Sequence, residues 1–101
     1  MARPVVKDAL VVGGGIAGLL AARVLADHAE RVTLLERDAL PDRPDTRSKT
    51  PQTPHSHVLG SAGYRKLTRL FPGLDRDLAE AGARPFDFFR DCRNHAAGDW
   101  L

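Results

Sequence analysis

Between Asp8 and Leu25 the chain passes from an apolar, β-branched run through Gly13, Gly14 and Gly15 into a stretch of helical spacing. Few junctions constrain a fold more. The glycines Gly13, Gly15 and Gly18 fit G-x-G-x-x-G, and a second strand-like run, Val32-Thr-Leu-Leu, follows and ends at the carboxylate of Glu36. A glycine at 13 permits a tight exit from the first strand without a Cβ clash. A glycine at 15 lets backbone approach a pyrophosphate closely, and one at 18 lets the helix lie against the strand. The first helical residues, Ile16, Ala17 and Gly18, then offer unpaired N–H groups, and the helix dipole favours negative charge before them. Glu36 stands 18 residues beyond Gly18, near the spacing of an acid that accepts hydrogen bonds from ribose hydroxyls. A carboxylate there repels a 2′-phosphate, which disfavours an NADP-type nucleotide. Strand, turn, helix, second strand and terminal acid together predict a β-α-β unit that holds a dinucleotide. The bland alternative is a glycine turn that binds nothing.

The pattern divides the 101 residues into three parts: the β-α-β unit over 1–37, a proline-rich loop over 38–58, and helices with a possible strand over 59–101. In the first part a buried parallel strand is expected over Lys7–Val12, a helix from Ile16 to about Asp27, and a strand over Arg31–Leu35. Leu19, Leu20 and Val24, with the small Ala17 and Ala21, form the helix face expected on the sheet. Pro41, Pro44, Pro51 and Pro54 exclude a regular helix and disfavour a central strand in the second part. Such an excursion is unlike a simple NAD-binding domain, which proceeds to another crossover. Beyond it, Leu59–Phe71 reads as a helix stopped by Pro72-Gly73, and Leu74–Ala81 as a shorter one stopped by Gly82. Arg84–Arg90 reads as extended, with Phe86, Phe88 and Phe89 expected in the core.

Composition excludes several classes. Fifteen basic and 13 acidic residues give a net charge of +2, and no basic face is interleaved with aromatics, so nucleic acid is not an expected partner. The longest apolar run is broken by glycines, so no membrane span is expected. The single cysteine, Cys92, cannot form a disulfide within the chain, which suits a reducing cytoplasm. His95 is close in sequence, but a cysteine nucleophile also needs an orienting third group and a pocket. His55 and His57 are spaced as a ligand pair, but a zinc site needs three or four ligands, and His28, Cys92 and His95 offer no supporting spacing. No metal and no catalytic residue is assigned.

The segment Arg47-Ser-Lys-Thr-Pro-Gln-Thr-Pro-His-Ser-His-Val-Leu59, followed by Gly63, Leu67 and Leu70-Phe-Pro-Gly-Leu74, resembles flavin monooxygenases and epoxidases of the aromatic-hydroxylase superfamily. The glycine motif before it resembles FAD-dependent oxidoreductases of the glutathione-reductase fold type. The resemblance implies an α/β fold, the incomplete, Rossmann-like β-α-β start of such an FAD domain. It implies FAD as cofactor, with its pyrophosphate on Gly13, Gly15 and Gly18, its adenosine ribose on Glu36 and its adenine flanked by Arg37. Arg47 and Gln52 would lie on a loop that approaches the flavin or its ribityl chain. It further implies NAD(P)H as reductant and insertion of one oxygen atom into an organic substrate. Lys49 and Thr53 stand where such proteins often carry glycine, and Pro54 where they are commonly basic.

Proteins of this type are several times longer and carry, further on, a second glycine-aspartate motif, the remaining strands and a substrate domain. A chain with only the adenosine end is expected to be inactive alone and to need the missing segment, in cis or from a complementing polypeptide. Two other readings remain: a non-catalytic adenine-dinucleotide binder, and an inert truncated fragment.

Overall fold

A computed structural model describes residues 3–43 and 45–100. Pro44, part of the proline-rich loop, lies outside the described residues. The chain begins β1 (Val6–Val12), α1 (Ile16–Leu25), β2 (Ala29–Leu35). The strands pair in parallel, with Asp8 opposite Arg31, Leu10 opposite Thr33 and Val12 opposite Leu35. Backbone bonds extend the ladder at both ends: Val5 N–H donates to His28 O (2.7 Å) and Gly13 N–H to Leu35 O (2.8 Å). The strands are one and two residues longer at their starts than the apolar runs suggest, because Val6 and Ala29 already pair. The fold is α/β, a Rossmann-like β-α-β start with a two-stranded parallel sheet among the described residues.

Burial in this unit is one-sided. Alternation along a strand sends successive side chains to opposite faces. Ala9, Val11, Val32 and Leu34 turn to the face partly covered, and Val11 is buried. Leu10, Val12 and Leu35 turn to the other, where Val12 is 78% exposed. The expectation of a buried β1 is therefore corrected. A parallel strand is covered on both faces only when helices flank both, and α1 covers one. The helix face differs too. Gly18, Ala22 and Leu25, spaced by four and three residues, are half-buried with Leu20, whereas Ala17, Leu19, Ala21 and Val24 are exposed. A sheet two strands wide is too narrow to cover a full helix stripe.

After the loop come α2 (Ser61–Leu70) and α3 (Leu74–Glu80), separated by Gly73 in a left-handed conformation (φ 89°). Arg23 of α1 donates through Nε to Leu70 O at the end of α2 (2.7 Å) and pairs with Asp27 (3.0 Å), which ties the two helices. The expected extended segment over Arg84–Arg90 is corrected at its end: Phe88–Asp91 forms a short helix, α4. Asp87 is the cause, since its carboxylate accepts from Phe89 N–H and Arg90 N–H and so caps the first turn. A hairpin, β3 (His95–Ala96) with β4 (Asp99–Trp100), follows, and His95 lies against Trp100 with ring centres 5.1 Å apart. Phe86, Phe88 and Phe89 do not form core: Phe89 is 95% exposed. The radius of gyration is 17.7 Å, against about 13 Å for a compact domain of this length. No helix among the described residues is long and apolar enough to cross a membrane.

Candidate nucleotide site

The glycine turn meets two of the demands its spacing sets and leaves room for the third. Gly13 has φ 103°, a left-handed conformation that side chains rarely adopt, and it turns the chain out of β1. At Gly18 an added Cβ would stand 1.7 Å from Gly13 O, so helix and turn touch through backbone. Gly15 differs from both. Its φ of −75° is ordinary, and an added Cβ would meet nothing within 4 Å. The glycine at 15 is thus not required by the protein's own packing. The room above it is what a close-approaching phosphate needs.

Gly15 is also the N-cap residue of α1, with no side chain capping the helix and no acid in its first turn. The first residues, Ile16 and Ala17, are exposed. Their N–H groups lack intrahelical partners by the geometry of any helix start. An uncapped, acid-free N-terminus beside a glycine with open space fits a diphosphate.

Glu36, one residue beyond β2, folds back over the turn. Its Oε2 accepts from Gly14 N–H (2.5 Å), and its Oε1 accepts from Asp38 N–H (3.1 Å). Gly14 itself is buried, and a Cβ there would approach Glu36 Oε2 to 2.8 Å. Gly14 is therefore a site residue that the G-x-G-x-x-G pattern leaves as "x". Its signal in the sequence was the unbroken run of three glycines. The Glu36 carboxyl is held below its ordinary range by the Asp38 N–H, then the Gly14 N–H, with burial opposing and Arg47 assisting. Glu36 is thus a carboxylate at neutral pH, suited to accept from ribose hydroxyls.

Arg47 reaches the same group from the proline-rich loop. Nη1 donates to Gly14 O (3.0 Å), Nη2 pairs with Glu36 Oε2 (3.1 Å), and Nε lies 3.6 Å from Asp38 Oδ2. Asp38 is a second residue the sequence reading missed. It accepts from Ser48 Oγ (3.2 Å) and Lys49 N–H (3.3 Å), which fastens the loop beside Arg47. The structure thus gathers Gly13, Gly14, Gly15, Gly18, Glu36 and Arg47. Arg37 is exposed. Gln52 lies in an exposed turn with local bonds, Thr53 N–H to Thr50 O and His55 N–H to Gln52 O (both 3.0 Å). Among the described residues no side-chain hydrogen bond joins Arg37 or Gln52 to the glycine turn. His55 and His57 are exposed, and no group of three or more His, Cys, Asp or Glu side chains among the described residues could hold a metal ion.

Residues 8–50 match the family described as FAD dependent oxidoreductase. The matched stretch takes in most of the β-α-β unit and the first part of the loop, up to three residues past Arg47. The chain is also similar to "Protein Rv3254" of Mycobacterium tuberculosis, 46% identical over 87 residues. That alignment covers 85% of this chain and 18% of the relative, so the chain spans less than a fifth of the relative's length.

Proposed function

We propose that this chain is the FAD-binding N-terminal segment of a flavin-dependent oxidoreductase of the monooxygenase type. It holds the adenosine diphosphate half of the cofactor. The observation that carries the reading is the pairing of an uncapped helix N-terminus and open Gly15 with the Glu36 carboxylate. The first two suit a diphosphate and the third suits a ribose, in the order in which ADP presents them. The match of residues 8–50 to FAD dependent oxidoreductases supports FAD over NAD. The Pro-Gln, His-x-His and Phe-Pro-Gly series supports the monooxygenase branch, with NAD(P)H as reductant, and the lone Cys92 suits a cytoplasmic setting.

Bound FAD supplies the redox chemistry, and the protein supplies orientation and electrostatics. Gly13, Gly15 and Gly18 with the N–H groups of Ile16 and Ala17 bind the pyrophosphate. Glu36 accepts from the ribose, and Arg37 flanks the adenine. Gln52 and the loop after Arg47 turn toward the ribityl end once further polypeptide completes the domain. The uncovered face of Leu10, Val12 and Leu35 supports that need, since parallel sheets are covered on both sides. Alone, the chain binds and does not catalyse.

A second reading has support of its own, because every gathered residue lies at the adenosine end: a module that binds any adenine dinucleotide without chemistry. Titration with FAD, read by flavin fluorescence and absorbance with ADP as competitor, separates them. Tighter binding of FAD than ADP favours the flavoenzyme segment. Equal affinity confines the site to the adenosine end. The same titration with the rest of the Mycobacterium tuberculosis relative added in trans then decides: a gain for FAD over ADP favours the flavoenzyme segment, and no gain favours the module. No saturable binding by a folded chain rejects both.

A further inference from the structure

We infer that Arg47 is a positioning residue: its guanidinium, wedged between Gly14 and Glu36, fixes the Glu36 carboxylate for the adenosine ribose and so makes ribose recognition depend on the proline-rich loop. The inference rests on the nucleotide-binding reading above. It departs from the family resemblance, which sends Arg47 toward the flavin.

The geometry is that of a fork across a gap. Arg47 lies 33 positions from Gly14 in sequence, yet Nη1 donates to Gly14 O at 3.0 Å while Nη2 holds Glu36 Oε2 at 3.1 Å. A planar guanidinium spans two acceptors with little loss of freedom per bond, which an ammonium cannot do. Both partners are shielded, at 16% exposure for the Arg47 side chain and 13% for Glu36, so the contact is not an idle surface ion pair. The arginine is itself braced. Asp38 accepts from Ser48 and Lys49 on the two residues following it and lies 3.6 Å from Nε, which has no hydrogen-bond acceptor among the described residues.

The valence of Glu36 shows what the brace leaves free. An ionised carboxylate has roughly four acceptor sites, two on each oxygen. Oε2 is filled by Gly14 N–H and Arg47 Nη2, while Oε1 holds only Asp38 N–H. One site on Oε1 remains for a ribose hydroxyl. Without Arg47 the carboxylate keeps one backbone donor on each oxygen but loses the side-chain contact that ties it to the loop.

The test uses ADP and 2′-deoxy-ADP against the native chain, Arg47→Met and Arg47→Lys, with circular dichroism as a check on folding. The native chain is expected to prefer ADP by about tenfold, the worth of one hydrogen bond to a charged group. Arg47→Met should lower that preference to about twofold or less, with 2′-deoxy-ADP affinity unchanged. Arg47→Lys, which keeps the charge and loses the fork, should restore only part of it. In the ligand-free chain, ¹³C resonances of the Glu36 carboxyl should titrate at higher pH in Arg47→Met than in the native chain. Equal weakening of both nucleotides overturns the inference and makes Arg47 a direct diphosphate contact. An unchanged preference, or an unchanged Glu36 titration, also overturns it. A native chain that binds neither nucleotide overturns the proposed function as well, and that outcome is distinct from the other three.

Discussion

Two alanines in one motif should have opposite consequences. Gly18→Ala places a Cβ 1.7 Å from Gly13 O and 2.8 Å from Gly13 C. Ordinary contact begins at 3.4 Å, so α1 must withdraw from the turn by about 1.7 Å. The obstructing atoms are backbone, in a turn held by the φ of 103° at Gly13 and its bond to Leu35 O, so no side chain can swing aside. Overpacking costs about 1–3 kcal/mol in cores with room to adjust, and better helix propensity returns about 1 kcal/mol. A rigid clash belongs at or beyond the upper end, so a net loss of about 2 kcal/mol or more is expected. Gly15→Ala places its Cβ in open space at an ordinary φ of −75°. The poorer N-cap costs about 0.5 kcal/mol and the stiffer unfolded chain returns about as much, so stability should hold. Binding should not hold, because the methyl takes the space of a phosphate. At about 1–3 kcal/mol of crowding, FAD affinity should fall by about fivefold to 150-fold. Urea titration followed by circular dichroism reads stability, and flavin fluorescence reads binding. If Gly15→Ala binds FAD as the native chain does, the diphosphate does not sit over residue 15. If Gly18→Ala is as stable as the native chain, helix and turn do not touch as described.

Three further outcomes follow from the charges and caps. The Glu36 carboxyl is held below its ordinary value of 4.5, chiefly by the Asp38 N–H. Its contribution to stability is therefore fully present above the unfolded value and is lost as pH falls through the lower folded one. The thermal midpoint should drop more steeply below pH 4.5 in the native chain than in Glu36→Gln; parallel curves would refute the assignment. Asp91, lowered by its bond from Arg90 and the Asp87 N–H, loses its contribution in the same direction and keeps the Glu36→Gln curve from being flat. Asp87→Ala removes the cap on α4 and should speed amide exchange at Phe89 and Arg90 by about fivefold, while the global urea midpoint stays put. By contrast, Asp8→Asn should change stability by less than about 0.5 kcal/mol, since its pair with Arg31 is exposed (2.6 Å, side chains 54% and 70% exposed); a larger loss on urea titration would show that the pair is shielded.

What could be read from the chain and what could not divides along the range of the interactions. The turn was legible because its constraints are local: a left-handed φ at Gly13, a backbone contact between Gly13 and Gly18, and a strand that returns Glu36 to the turn. Those demands act through glycine alone, and glycine is visible as a letter. Arg47 was visible as a residue of interest but not as a partner of Gly14, since a contact across 33 positions depends on a loop with no periodicity to project. Asp38, which braces that loop, carried no signal beyond standing two residues after Glu36. The failures have the opposite origin. Phe86, Phe88 and Phe89, like the α1 stripe at Leu19 and Val24, were expected inside because apolar side chains usually are. Burial, however, belongs to a pair of surfaces, and the described residues supply only one of each pair. The exposed side of β1 and β2 makes the same point from the sheet. Leu10, Val12 and Leu35 have the spacing of a covered face. These positions carry the pattern of a covered face without its partner surface among the described residues, whereas the glycine turn has every partner its constraints require.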